Sequence, residues 1–381
     1  MDFSFTPEQL ALRDEIAKFA RQELNAELPS RDREEVFSRE NWLKCARFGI
    51  HGLPFPRELG GSDADIVTTM LAMEGFGYGC RDSGLIFGIN AQMWSVQMPI
   101  LQFGSDEQRR KYLPRLCSGE WIGAHGMTEP GSGSDAMSLS TTAVRRGDRY
   151  VLNGSKTFVT NAPVADLFVV FASTNPSQGF LGVTGFLVEK ERSGIRVPRP
   201  IAKMGLRTSP MGEMVLEDCE VPAENVIGQE GLGSKIFNAS MEWERSCILA
   251  SYLGAMEHQL ETCVAYAKSR RQFNRPIAKF QSVANRIVDM KVRLETARLA
   301  LYRVAWLKQT QDEAVMDAAI AKLYLSEAWV QSCLDAIQIH GGYGFTTELG
   351  FERDLRDSIA GRIYSGTSEI QRNIIASRLG L

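Results

Sequence analysis

Glu244 stands where a carboxylate is costly. In the helical stretch spanning residues 234 to 254, its neighbours at helical spacing are Phe237, Ser240, Met241, Cys247, Ile248 and Ser251, all apolar or small. Removing an anion from water is unfavourable unless it is paired or neutralised. Desolvation also raises a carboxyl pKa toward the range useful for proton abstraction. Glu242 falls on a different face, with Asn238, Ala239, Arg245 and Ser246. Two readings of Glu244 stand at this level: a general base, or the partner of an arginine in a packed bundle.

Other stretches carry groups suited to ligands. In His125-Gly-Met-Thr-Glu-Pro-Gly-Ser-Gly-Ser-Asp135 the glycines admit backbone amides to a ligand, and Thr128, Ser132 and Ser134 add hydroxyls. The stretch lies among strand and turn signals, so it is not a dinucleotide fingerprint opening a helix; a Gly/Ser turn at a domain boundary is the alternative. In Asn153-Gly-Ser-Lys-Thr-Phe-Val-Thr-Asn161, alternation places Phe158 and Thr160 on one strand face. An aromatic and a hydroxyl so placed suit a planar ring, or Phe158 is plain core. Gln338-Ile-His-Gly-Gly-Tyr-Gly344 follows a helix, and Ile363-Tyr-Ser-Gly-Thr-Ser-Glu-Ile-Gln371 precedes one. The second puts Gly366 and hydroxyls where free amides and the dipole favour an anion. Arg270-Arg-Gln-Phe-Asn-Arg275 is a basic cluster suited to phosphates or, equally, a solvated turn.

The elements that must position these groups follow a three-part order. Residues 6 to 117 are helical by period, opening on Thr6-Pro-Glu-Gln as cap and first turn, with a turn-rich break at residues 53–61. Helices are expected at 64–78, 83–103 and 105–119. Near Trp121 the pattern turns to β-branched runs at 141–145, 150–152, 156–160, 167–171, 183–188 and 213–217, separated by Gly, Asn, Asp and Pro turns. From Ser234 four long amphipathic segments are expected, at 234–270, 279–309, 311–340 and 365–379. The expected fold is mostly α with a central β domain. A helical domain spans 1–120, a small antiparallel β domain 121–233, and a four-helix bundle 234–381.

Composition narrows the class. With 381 residues, 44% hydrophobic and 23% charged, the chain is an ordinary globular protein of two or three domains. A net charge of −3 gives no reason to expect nucleic acid. The opening Met-Asp-Phe-Ser-Phe-Thr-Pro lacks the basic start and apolar core expected of a signal peptide, and no apolar run approaches membrane-spanning length. Seven scattered cysteines without Cys-x-x-Cys pairs predict reduced thiols in a cytoplasmic protein, and four dispersed histidines predict no metal site.

Taken together and in this order, Met127-Thr-Glu-Pro-Gly-Ser-Gly-Ser-Asp135, Asn153-Gly-Ser-Lys-Thr-Phe-Val-Thr-Asn161, Arg270-Arg-Gln-Phe273, Gln338-Ile-His-Gly-Gly342 and Tyr364-Ser-Gly-Thr-Ser-Glu369 carry a resemblance. The sequence resembles, from end to end, the acyl-CoA dehydrogenase family of flavoproteins. The resemblance implies FAD between the β domain and the C-terminal bundle. The backbone around Met127 and Thr128 would meet the flavin ring, Ser134 would reach its pyrophosphate, and Gly133 would be among the cofactor-binding residues. Phe158 would stand where a tryptophan is often found beside the ring, and Thr160 near the nitrogen that receives hydride. Arg270, Phe273, Gln281, Gln338 and Gly342 would hold the adenosine end from a neighbouring subunit, with Thr367 and Glu369 completing the site. A homotetramer is implied as well.

One departure decides the base. Many family members carry a catalytic glutamate between the Tyr and Gly of the late motif, and here that position is Ser365. A minority, including isovaleryl-type enzymes, places the base on the bundle helix, at the position matching Glu244. The resemblance therefore implies α-proton abstraction by Glu244 and β-hydride transfer to flavin, with Tyr364, Ser365 and Arg245 lining the substrate pocket. Electrons would pass to an electron-accepting flavoprotein or to oxygen. Within the family the sequence is most similar to the branch that oxidises thioesters on carrier proteins, prolyl-carrier-protein dehydrogenases and oxidases among them. Lys268, Arg270, Arg271 and Arg275 would supply part of a basic rim for an acidic carrier. The alternatives are a short- or branched-chain acyl-CoA dehydrogenase, a silent relative kept as a binding module, and a nitroalkane-type oxidase. The last would carry an aspartate at position 365 or 244.

Overall fold

The computed structural model describes residues 4–310 and 313–381. Helices α1 (Pro7–Glu23), α2 (Leu28–Glu34), α3 (Arg39–Phe48), α4 (Ile66–Gly79), α5 (Ser83–Gln92), α6 (Met98–Phe103) and α7 (Asp106–Cys117) come first. Thr6 closes a capping box on α1: its hydroxyl accepts from the Gln9 amide, and Gln9 accepts in return from the Thr6 amide. The expected single helix at 83–103 is instead two α-helices joined by a π-helical turn, Met93–Gln97.

A seven-stranded sheet follows: β1 (Gly123–Gly126), β2 (Thr142–Arg146), β3 (Arg149–Thr160), β4 (Leu167–Ser173), β5 (Val183–Glu189), β6 (Ile195–Arg196) and β7 (Met211–Pro222). Its order is β1-β4-β2-β3-β7-β6, with β5 on β4. Pairing is mainly antiparallel; β1 runs parallel to β4, and Thr142 meets Ser173 in a single parallel pair. The two short runs expected at 150–152 and 156–160 are one long strand. It is interrupted by bulges opposite β7, the second between Lys156 and Val159.

The C-terminal part holds α8 (Gly233–Cys247), α9 (Ala250–Ser269), a small β8–β9 hairpin (Arg271–Gln272, Arg275–Pro276), α10 (Gln281–Gln309), α11 (Val315–His340), α12 (Gly342–Phe345), α13 (Phe351–Ala360) and α14 (Ser368–Arg378). The expected helix at 234–270 is broken at Ile248 and Leu249, where no glycine or proline marks the kink. Residues 311 and 312 of the expected third helix lie outside the described residues. Helices α12 and α13 fill the stretch between the expected segments at 311–340 and 365–379, to which no element was assigned.

Both helical parts share one core. Ile16, Trp42, Phe76 and Trp94 pack in the same cluster as Leu253, Met290, Leu325 and Trp329. The sheet has its own core around Tyr150, Leu152, Phe168, Phe186 and Met214. A third cluster joins Val169 and Phe171 of β4 to Val96, Ile100 and Ile236. Helix α8 is thereby wedged between sheet and bundle.

Candidate active site

Glu244 lies on the buried face of α8, 7% exposed, with Ser240, Met241 and Cys247 buried beside it. Among the described residues no cationic side chain pairs with it. Ser365 donates its hydroxyl to Oε1 at 2.6 Å, and Ser95 donates to Oε2 at 2.5 Å. Burial raises the carboxyl pKa, against lowering pulls from the Ser365 and Ser95 hydroxyls and from the Arg245 and Lys322 charges. The reading as an arginine-paired carboxylate does not fit, because Arg245 donates Nε to the Ser365 carbonyl at 2.9 Å. Glu242, on the other face, pairs with Lys308 at 2.8 Å.

Ser365 reaches Glu244 from a turn in which Ser365 and Gly366 have φ of +53° and +89°. Such backbone needs support. Gln371 donates to the carbonyls of Ser365 (3.2 Å) and Gly366 (2.8 Å), and Lys322 donates to the latter at 2.7 Å. Lys322 is fully buried, and burial brings its ammonium down to about 8. Tyr364 hydrogen-bonds Tyr252 at 3.0 Å and packs on Phe87, ring centroids 4.7 Å apart. These three side chains border a void of about 10 Å³, room for about one water. Beside Glu244, the Trp243 ring stacks parallel to Trp94, centroids 6.1 Å apart, and Lys308 lies over it at 4.2 Å.

The β domain presents a second group. Phe158 sits at the β3 bulge with φ +55° and is 61% exposed, while Thr160 is half-buried and Val159 between them is buried. Met127 and Thr128 are tied to this strand: the Met127 carbonyl accepts from Lys156 (3.2 Å), and the Thr128 carbonyl from the Thr157 amide (2.8 Å). Lys156 forms a fully buried ion pair with Glu129 at 2.7 Å. Burial works to raise Glu129. The bonds from Lys156, Ser140 and Thr141 outweigh it and hold the carboxyl down to about 2. Gly133 and Ser134 are exposed in the turn beyond, and a Cβ built on Gly133 meets nothing within 4 Å.

A third group lies apart; among the described residues no hydrogen bond or ring contact links it to Glu244. Arg270 and Gly342 line a cleft of about 630 Å³ with Tyr266, Ile277, His340 and Tyr343. Phe273, 89% exposed at the hairpin tip, meets Phe280 edge-on; Gln281, next to Phe280, and Gln338, near the end of α11, are exposed. Within the basic cluster, Arg271 is held by the Asn274 carbonyl and Arg275 lies over Phe280. Thr367 spends its hydroxyl capping α14, accepting from the Ile370 amide, and Glu369 is exposed in that first turn.

Sequence reasoning did not single out Ser95, Lys322, Gln371, Trp94 or the Glu129–Lys156 pair. A serine inside the apolar run Met93-Trp-Ser-Val-Gln97 was the available signal for the first. The others depend on long-range packing. The cysteines are free and buried, and no cluster of metal-binding side chains occurs among the described residues. Nor is any helix among them long and apolar enough to cross a membrane.

Comparison with known proteins adds to this geometry. Three family models match: the acyl-CoA dehydrogenase N-terminal domain at residues 6–120, the middle domain at 124–219 and the C-terminal domain at 231–380. The chain is 43% identical to an L-prolyl-[peptidyl-carrier protein] dehydrogenase of Pseudomonas fluorescens, covering 100% of both chains. It is similar to the solved prolyl acyl carrier protein oxidase AnaB, with TM-score 0.98 and 52% identity over 99% of this chain and 100% of the other. PigA, solved with FAD and proline, matches with TM-score 0.98 and 43% identity over 100% of each chain.

Proposed function

The chain belongs to the acyl-CoA dehydrogenase family, and on that premise we propose that it dehydrogenates a carrier-bound prolyl thioester with FAD. Full-length likeness to a prolyl-carrier-protein dehydrogenase and to a prolyl carrier protein oxidase supports the substrate. The observation that carries the chemistry is Glu244: buried, free of any bonded cation, and held by two hydroxyls.

The residues present fit FAD. Phe158 is exposed on a bulge, Thr160 two residues on is a half-buried hydroxyl, and Gly133 and Ser134 lie in an open turn. When bound, FAD supplies the acceptor for the hydride that leaves the β-carbon. Met127, Thr128, Phe158 and Thr160 would hold its ring and Gly133 and Ser134 its pyrophosphate. Thr367 and Glu369 would complete the site. Arg270, Phe273, Gln281, Gln338 and Gly342 would hold the adenosine end bound by a neighbouring copy. Glu244 takes the α-proton: the C–H bond breaks, and an O–H bond forms on the carboxylate. Burial makes that carboxylate a stronger base than an exposed one. Tyr364, Ser365 and Arg245 frame the substrate end.

Glu244→Gln is the direct test. The variant retains flavin and fold, and bleaching of the yellow band by prolyl-loaded carrier protein without oxygen slows roughly 10²–10⁴-fold. Bleaching at the wild-type rate removes Glu244 from the mechanism. Bleaching of the wild type by CoA thioesters alone overturns the carrier assignment.

A further inference from the structure

Met93–Gln97 is the one π-helical turn among the described residues, and it contains the serine that touches Glu244. Side chains on an α-helix rotate about 100° per residue, so the extra residue of a π turn re-aims what it carries. Gln92, just before the turn, and Gln97, its last residue, point elsewhere. Gln92 accepts from the Gly123 amide at 2.7 Å and donates to the Leu116 carbonyl at 3.0 Å, while Gln97 donates to the His51 carbonyl at 3.1 Å. A buried helical serine ordinarily bonds a carbonyl one turn back. Ser95, 3% exposed, instead crosses to another helix and donates to Oε2 of Glu244. Opposite it, Ser365 donates to Oε1 from its supported turn. Among the described residues no other group hydrogen-bonds this carboxylate.

We propose that Ser95 is a positioning residue for the reaction. With Ser365 it fixes Glu244 by both carboxylate oxygens, and the π turn is the backbone device that delivers it. The inference rests on Glu244 being the proton acceptor. A hydroxyl suits this post because it both donates and accepts. It donates to the carboxylate, then accepts from the acid formed when the α-proton arrives, with no other atom transferred. The charged and titratable groups near the carboxylate are Arg245 on its own helix, Lys322 from α11 and Tyr364 beside Ser365. Lys308 of α10 is engaged by Glu242. None of them donates to Oε2, so nothing replaces Ser95 when it is removed.

The test uses the full flavin-loaded chain. In Ser95→Ala, the ascending limb of the kcat/KM profile moves up by about 1–2 pH units, as expected for one lost charge-assisted bond. The kcat falls by roughly 10–100-fold with KM nearly unchanged, the signature of a misaligned base. Ser95→Thr restores both, and Ser365→Ala moves the limb the same way. Infrared titration of the Glu244 carboxyl band in resting protein, assigned against Glu244→Gln, shows the same upward shift without any substrate. Melting temperature and flavin content confirm the fold. If Ser95→Ala loses flavin, the nearly isosteric Ser95→Cys, a much weaker donor, carries the test through the same limb and infrared band. A wild-type limb and band position in the folded variant overturn the inference, as does failure of Ser95→Thr to rescue. Full activity of Glu244→Gln defeats the base assignment instead, so the two failures are distinguishable.

Discussion

At the scale of single residues, Glu244 is nearly fully buried and, among the described residues, has no cationic side chain bonded to it. A buried carboxylate of that kind costs stability whenever it is ionised. Its folded pKa lies above the ordinary 4.5, so the folded chain holds this proton more tightly than the unfolded chain does. The penalty is absent below 4.5 and complete once pH has risen through the folded value. Glu244→Gln is therefore expected to melt at a higher temperature than the wild type at neutral pH, with the gain shrinking toward acid. Melts of both flavin-loaded proteins between about pH 4 and 8 check this. An equal offset at every pH argues against it. The apolar face that exposes this cost was legible in sequence, since Phe237, Met241, Cys247 and Ile248 recur at helical spacing. Its partners were not. Ser95 and Ser365 lie 149 and 121 residues away from it, and nothing local marks them as facing the same carboxylate.

At the scale of elements, two irregular pieces of backbone do the aiming, and both escape pattern reading. The π turn preserves an apolar run that reads equally well as continuous α-helix. The turn at Ser365 and Gly366 is stabilised by Lys322 and Gln371 rather than by its own residues. The break between α8 and α9 is likewise set by packing: Ile248 and Leu249 are fully buried and carry no breaker signal. Helix α10 was readable because Met290, Leu294, Ala297, Leu301 and Val304 repeat along one buried face, whereas α4 and the β4–β5 pair were readable as continuous apolar runs buried on nearly all sides. Gly366 is the position where this support can be probed. Its φ is +89°, and a Cβ there would stand 2.9 Å from Gln371 Nε2 and 3.0 Å from the Ile370 side chain. Gly366→Ala is expected to cost about 1–3 kcal/mol in stability. It should also lower kcat by displacing Ser365, read by denaturant titration alongside turnover. Unchanged turnover in a destabilised protein separates the turn from the chemistry.

At the scale of the whole molecule, the N-terminal helices and the C-terminal helices share one hydrophobic core. Helices α4 and α9 meet through two glycines. A Cβ on Gly77 would fall 1.8 Å from the Ser251 carbonyl oxygen, and one on Gly254 1.9 Å from that of Glu74. Nearby, Glu74 takes a bond from Arg298 at 2.7 Å, and Asp354 of α13 takes Arg81 at 2.5 Å. Gly254→Ala forces backbone apart and is expected to cost at least about 1–3 kcal/mol, with helical parts that no longer melt as one unit. Calorimetry showing a single unshifted transition contradicts this. The stacked indoles Trp94 and Trp243 carry a consequence of another kind. Two of the chain's six tryptophans lie parallel 6.1 Å apart, next in sequence to Glu244 and capped by the Lys308 ammonium. Chromophores that close and that aligned couple electronically, so the protein carries an intrinsic optical probe next to Glu244. Its circular dichroism and emission register any shift of α8 against the neighbouring turn without an added label.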